Sequence, residues 1–311
     1  MTALRVLLVF TGFLLFVAGL WLAGDFLYAR RIHVRAAAPT APRAAAEAFT
    51  LNPAGTPALL LIHGFADSPA VFAQLAPPLA DAGFAVRALH LSGSGVPPAE
   101  MKGLTLATWR ADIDREIAAL QAAAPGRPVW LVGHSLGGAL AFDAALRPAN
   151  QVAGLVLLAP LVEVSRARSP VLSPRQWFNL LDHLLVFTDT IESRLPKDLH
   201  DPAARAAYRT DKYVHRDVYR ALFDATDAVR PRAGEWHGPL LAVVSATDQI
   251  VDSSATRFFF AATNAAPAKL GEEHAAGHVL PLDYGHARLA DRIVRFIREA
   301  TPGSAGAGQP E

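Results

Sequence analysis

Hydrophobic positions divide this chain into three regimes. From Val6 to Gly24 the sequence VLLVFTGFLLFVAGLWLAG carries 19 residues without a charge, close to the ~20 apolar residues with which a helix crosses a bilayer. Trp21 and Tyr28 stand where an interfacial aromatic belt lies. A cleaved secretory signal is the competing reading, but its apolar core spans only about 7–15 residues. Here Arg5 alone precedes the run, and no clean Ala-x-Ala site follows. Residues 1–31 therefore read as an uncleaved single-pass anchor, expected in a bacterial inner membrane. Cleavage would instead leave a secreted or periplasmic body. Arg30, Arg31 and Arg35 after the run outnumber Arg5 before it, a bias towards a cytoplasmic C-terminal domain.

The second regime shows no alternation at its start. RAAAPTAPRAAAEAF is rich in Ala and Pro, so residues 32–56 read as a semi-stiff linker followed by an entry strand. The tail from Thr301, TPGSAGAGQPE, is small and polar, and residues 301–311 are expected to be disordered.

Between them, short apolar runs alternate with helical periods. The runs are PALLLIH (Pro57–His63), AVRALHL (Ala85–Leu91), PVWLVGH (Pro128–His134), VAGLVLLAP (Val152–Pro160) and PLLAVVSATD (Pro239–Asp248). Helical stretches are expected from Ser68 to Ala82 and after Thr105, an N-cap residue followed by Ile113, Ile117 and Leu120 at helical spacing. Others are expected after Ser135 and from Pro281 to Ala300. Near-continuous apolar strands between helices predict an α/β fold, a mostly parallel central sheet with helices on both faces. Residues 162–236 break the rhythm with bulky runs such as WFNLLDHLLVF. They read as a helical lid between a first core segment, 57–161, and a second, 237–300.

Composition narrows the chemistry. Lys and Arg total 29 against 28 Asp and Glu, a net charge of +1, so no basic field supports nucleic-acid binding. With no cysteine there is no thiolate nucleophile and no disulfide. Neither zinc-finger nor phosphate-loop spacing occurs.

The apolar run ending at His134 is followed by a serine among small residues. GHSLGG fits G-x-S-x-G between a strand and a helix, the context of a nucleophile elbow. Gly133, His134 and Gly137 form that elbow around Ser135, with the glycines removing side chains that would crowd a tight turn. The helix behind it points N–H groups at the site, where they favour developing negative charge. Upstream, His63-Gly64-Phe65 follows a strand end. The backbone N–H groups of Phe65 and Leu136 are the expected oxyanion donors.

The chain order of such sites places an acid and then a histidine after the serine. Asp248 falls at a strand's C-terminal end, whereas Asp252, four residues on, suits helix capping or solvent. Of His274, His278 and His286, the last falls inside the closing helix and the first in a strand or its edge. His278 follows Gly277 in the loop between them, where an imidazole can reach the serine.

LLLIHGF, GHSLGG, the Asp of SATDQIVD and GHVL together resemble the α/β-hydrolase superfamily. The likeness runs from about Pro57 to Ala300. It is nearest the serine-hydrolase branch of carboxylesterases, monoacylglycerol lipases and serine aminopeptidase-like proteins. SGSGVPPAEMKGLTLATWRADI resembles that family's loop and W..D helix through Trp109 and Asp112. It departs from it where Gly93-Ser94-Gly95 replaces the frequent G-H-G. The resemblance implies a membrane-anchored esterase for short- to medium-chain acyl esters or monoacylglycerols, with no metal or organic cofactor. Trp177, Phe178 and Phe187 are candidate substrate contacts in the lid. A peptidase, an acyltransferase with the same triad and a non-catalytic binding protein remain the alternatives.

Overall fold

The computed structural model describes residues 2–38, 44, 47–169, 171–193 and 196–301. Residues 39–43, 45 and 46 of the Ala/Pro-rich linker lie outside them, as do residues 302–311 of the tail expected to be disordered. The chain opens with helix α1 (Thr2–Ala37), followed by strands β1 (Phe49–Leu51) and β2 (Ala58–Ile62). Helix α2 (Ala76–Asp81), strand β3 (Ala85–Leu89), helix α3 (Leu106–Ala123), strand β4 (Val129–His134), helix α4 (Leu136–Ala145) and strand β5 (Gly154–Leu158) build the first half of the core. An inserted stretch carries α5 (Pro174–Leu184), β6 (Thr190–Glu192), α6 (Pro202–Ala207), β7 (Tyr213–His215) and α7 (Arg216–Val229). Strand β8 (Leu240–Ser245), helix α8 (Ser253–Ala261), strand β9 (Ala268–Glu273) and helix α9 (His286–Ala300) complete it.

Seven strands form one sheet in the order β1-β3-β2-β4-β5-β8-β9. Only β1 runs antiparallel to its neighbour; the other pairings are parallel. Every residue of β2, β4, β5 and β8 is buried, which is why these strands are apolar runs rather than alternations. Parallel pairing brings the C-terminal ends of β2, β4 and β8 to one edge of the sheet. The loops holding Phe65, Ser135 and Asp248 therefore emerge together.

Helix α4 is buried from Leu136 to Ala144 and packs between the sheet and α7. Its one buried charge, Asp143, takes a two-pronged bond from Arg110 at 2.9 and 2.8 Å and a second partner in Arg147. Pairing of this kind is what allows a carboxylate inside an apolar helix face.

Several extents differ from the sequence expectation. The helix expected over Ser68–Ala82 is a 3-10 turn at Pro69–Phe72 and the short α2, because Pro77 and Pro78 lack N–H donors and fit only a helix's first turn. The closing helix starts at His286 rather than Pro281, since Gly285 with φ 87° turns the chain just before it. Helix α1 runs to Ala37, six residues beyond the expected end of the anchor. The insertion is not wholly helical either, as β6 and β7 pair antiparallel within it.

Helix α1 has two halves. Its apolar part has a mean hydropathy of 2.5 and none of it is buried; a membrane span and a signal sequence share this length and composition. From Asp25 onward the helix docks on the insertion. Asp25 accepts hydrogen bonds from Val186 N–H at 2.7 Å and Phe187 N–H at 3.0 Å. Tyr28 accepts one from Glu192 N–H at 3.3 Å, and Ile32 and Ala36 pack on Tyr213.

Candidate active site

Ser135 follows β4 directly and caps α4 with φ 55° and ψ −121°, a backbone conformation that non-glycine residues adopt only when the surroundings enforce it. Three backbone bonds do so. Ser135 N–H donates to Leu158 O at 2.9 Å, and Ser135 O accepts from the N–H groups of Gly138 and Leu161, both at 2.9 Å. The elbow glycines act by close approach. A Cβ on Gly133 would overlap the Gly137 carbonyl, and one on Gly137 would overlap the Ile62 carbonyl. What they clear is the crossing of β4, α4 and β2, which sets the serine's height above the sheet.

The structure brings Ser135, His278 and Asp248 into one hydrogen-bonded chain. His278 Nε2 lies 2.8 Å from Ser135 Oγ and Nδ1 lies 2.8 Å from Asp248 Oδ2. The second oxygen of Asp248 accepts the N–H groups of Ile250 at 2.8 Å and Val251 at 2.9 Å. An ionised Asp248 accepts a hydrogen bond from Nδ1–H, leaving the Nε2 lone pair facing the serine hydroxyl. Burial alone would lower the His278 pKa, but the charge and hydrogen bond of Asp248, with the charges of Asp198 and Asp67, raise it above the ordinary histidine value. Burial would likewise raise Asp248, yet the same pairing and its two N–H bonds hold it below the usual carboxylate range. Asp252 instead caps α8 through Ser254 and Ala255 N–H. His274 is exposed just beyond β9, and His286 opens α9.

On the other side of the serine lies the loop after β2. A Cβ on Gly64 would stand 3.1 Å from Ser135 Cβ, so the chain at Phe65 passes close to the hydroxyl. Leu136 N–H is the first of α4, among the donors that have no acceptor within the helix. The ring of His63 holds this loop in place. Leu91 N–H donates to His63 Nε2 at 3.1 Å, so the ring proton must sit on Nδ1, which donates to Gly64 O at 3.0 Å. Burial lowers its pKa to about 4 and keeps it neutral. Trp109 and Asp112 have a structural task. They bond Ser92 O at 3.0 Å and Ser92 N–H at 2.8 Å, fixing the Gly93-Ser94-Gly95 turn.

A buried polar layer lies beneath the histidine. His134 Nε2 donates to His278 O at 3.1 Å, and the two rings are 5.0 Å apart. Burial, with the charge of His278, lowers the His134 pKa to about 3. A neutral His134 adds no positive charge beside the catalytic candidate. Burial also pushes Asp67 up to about 7, against hydrogen bonds from Ser68 N–H and the Tyr208 hydroxyl.

Sequence reasoning did not single out three buried aspartates that tie the insertion to this site. Asp198 Oδ2 accepts Gln249 N–H at 2.8 Å and His278 N–H at 3.2 Å, gripping the Asp248 loop and the His278 loop together. Asp283 accepts His200 N–H and Gly277 N–H, each at 2.8 Å. Asp211 accepts Gly95 N–H at 2.9 Å, while its own N–H donates to Ala66 O at 2.8 Å. Backbone partners so far away in the chain leave no motif to read.

The three lid candidates separate. Phe178 is buried and stacks on Tyr219 at 5.6 Å, whose ring in turn lies 4.8 Å from Phe65. Trp177 is exposed on α5. Phe187 packs edge-on against Phe26 of α1 at 5.7 Å, so it meets the N-terminal helix. Among the described residues, no group of three or more His, Asp or Glu is arranged to hold a metal ion.

Residues 55–283 match the family described as serine aminopeptidase, S33. The chain is 33% identical over 114 residues to monoglyceride lipase of Homo sapiens, covering 36% of this chain but only 38% of that protein. It is 27% identical over 191 residues to monoacylglycerol lipase of Mycolicibacterium smegmatis, covering 60% and 68%. A solved structure described with the metagenome-derived lipolytic enzymes LipS and LipT superposes with a TM-score of 0.70 at 22% identity, covering 82% of this chain and 98% of that one.

Proposed function

Because the chain belongs to the serine aminopeptidase S33 family, within the serine-hydrolase branch of the α/β hydrolases, we propose that it hydrolyses carboxylic esters of short- to medium-chain acids or monoacylglycerols. The observation that carries this reading is the unbroken Ser135–His278–Asp248 chain, with both links at 2.8 Å, at the head of α4. His278 Nε2 takes the Ser135 proton as Oγ attacks the acyl carbonyl. Asp248 holds the ring and stabilises its charged form. The N–H groups of Phe65 and Leu136 receive the oxyanion. The imidazolium then protonates the leaving alcohol, and water attacks the acyl-enzyme with His278 again as base, returning the proton to Ser135.

The insertion acts as a lid. Ser135 and His278 are each only 6% exposed. Phe65, Leu136, Trp109, Val214 and Val218 line a cavity of about 20 Å³, room for roughly one water. Val214 and Val218 of the insertion form one wall of this cavity, so seating an acyl chain there requires that wall to move. Two curated relatives named for monoglyceride hydrolysis support a glycerol ester as the substrate class. The contacts of Asp25, Tyr28 and Ile32 with the insertion would be lost by a cleaved signal, which favours α1 as a single-pass anchor.

The reading is tested with a fluorophosphonate probe and a series of p-nitrophenyl and glycerol esters of increasing acyl length. Labelling with turnover that peaks at short to medium chains is expected. A folded wild-type chain that neither labels nor turns over would exclude the hydrolase.

A pH profile tests the electrostatics. The base works neutral, so kcat/KM falls as pH drops through the His278 pKa, which lies above the ordinary value of 6.5. Asp198→Asn removes a charge that raises this pKa, so the acidic limb should move to lower pH. Asp198→Ala also frees the two amides and should cost about 10–10²-fold in kcat. An acidic limb that stays in place in Asp198→Asn would limit Asp198 to holding the backbone.

A further inference from the structure

Outside α1, most exposed large apolar side chains of the described residues fall in one place. Val171, Trp177, Leu180, Leu184, Val186 and Phe187 surround α5, with exposures from 37% at Leu184 to 76% at Val171; Phe258, Leu270 and Tyr284 stand singly. Trp177, Leu180 and Leu184 recur at three and four residues and share one helix face. Phe178 points away from them into Tyr219 and Phe223. The exposed stripe is thus not the face that packs on the body.

This patch adjoins the place where α1 leaves its apolar run. Asp25 is the first charged residue after Val6–Gly24, and its carboxylate receives the Val186 and Phe187 N–H groups. Phe26, exposed like Leu22 and Leu27 on the same helix, meets the ring of Phe187. A helix of 36 residues is about 54 Å long at ~1.5 Å per residue, against a hydrocarbon core of ~30 Å. The surplus is the half that docks on the insertion. Residues 186 and 187 consequently lie level with the end of the apolar run, and α5 ends just before them.

Resting on α1 as a membrane span, we propose that the exposed face of α5 and the Val186-Phe187 loop sit in the interfacial zone of a phospholipid bilayer, held at that depth by the Asp25 bonds to the insertion. Continuity with the unburied apolar surface of α1 favours lipid over a second protein surface. The composition agrees, since Trp177 on the exposed face of α5 and Phe187 in the loop after it are aromatic side chains of the kind that suit the headgroup boundary. Arg30 and Arg31, exposed on α1 beyond Asp25, supply cations for the phosphates there. Phe178, Tyr219 and Phe65 then connect the membrane-facing helix to the loop beside Ser135.

The chain has no cysteine, so single reporters can be introduced cleanly. Full-length Leu180→Cys, Leu184→Cys and Leu270→Cys, each labelled with NBD, would be reconstituted in vesicles of phosphatidylcholine and phosphatidylglycerol. Positions 180 and 184 should show blue-shifted emission and roughly twofold or greater quenching by headgroup-level spin-labelled lipid, while 270 should not. Adding Asp25→Ala should weaken quenching at 180 while the chain still resists alkaline extraction. A chain that resists extraction but leaves 180 in water, or that quenches equally with Asp25→Ala, overturns the proposal and spares the anchor. Release by alkali refutes the anchor and the proposal together. A blue shift without lipid quenching assigns the patch to a second protein surface instead. The hydrolase reading is scored separately by the fluorophosphonate probe.

Discussion

Ser135→Ala is expected to lower kcat/KM for p-nitrophenyl butyrate by about 10⁴–10⁶-fold and to abolish fluorophosphonate labelling. The fold should survive. The serine's unusual backbone is held by its own N–H and carbonyl, none of which the substitution touches, and alanine accommodates the same φ and ψ no worse. The lost side-chain contact is the bond to His278 Nε2, so a thermal melt within a few degrees of wild type is the expected control. The oxyanion donors remain, which is why a residual rate above uncatalysed hydrolysis is expected rather than none. Turnover unchanged from wild type would move the nucleophile elsewhere.

The second large effect separates two histidines four residues apart. His278→Ala should cost about 10⁴–10⁶-fold in kcat, because no other group lies ready to take the serine proton. The nearest ring, His134, is neutral with a pKa of about 3 and spends its Nε2 on the His278 carbonyl. His274→Ala should retain activity within roughly twofold, as expected for a surface substitution away from the site; the residue is exposed beyond β9. Steady-state kinetics on the pair, with circular dichroism to verify folding, decides the base. The reverse pattern would assign it to His274.

The legible and illegible parts of this chain differ in the range of their causes. Strands β2, β4, β5 and β8 were readable because each is buried on both faces and so is apolar without interruption. The elbow was readable because its requirements, a serine between glycines after a strand, are satisfied within six residues. Asp248 and His278 could be proposed from chain order, since parallel strands deliver their C-terminal ends to one edge. Periodicity misled at Ser68–Ala82, where prolines cut the helix. It was blind to β6 and β7, which have three residues each. The direction of Phe187 depended on Asp25, a residue that in the sequence only marks the end of an apolar run. Asp198, Asp211 and Asp283 were invisible for another reason: they bind backbone amides, and an amide has no sequence signature.

Those three aspartates also set a rule for building chimeras. The insertion is attached to the candidate catalytic loops at two places, through residues 163–168, which bond Gln249, Ile250, Val251 and Asp252, and through residues 198–211, whereas α5 reaches them through Phe178 and its aromatic neighbours. A donor segment spliced in for residues 171–185 would leave Arg168 on Gln249 and every amide bond to Asp198, Asp211 and Asp283 intact, provided it kept a ring at position 178. A splice replacing the whole of 162–236 would release the acid loop and the base together. The α5 segment and the amide-binding aspartates are thus separable cassettes in this fold, and the seam between them runs just before β6.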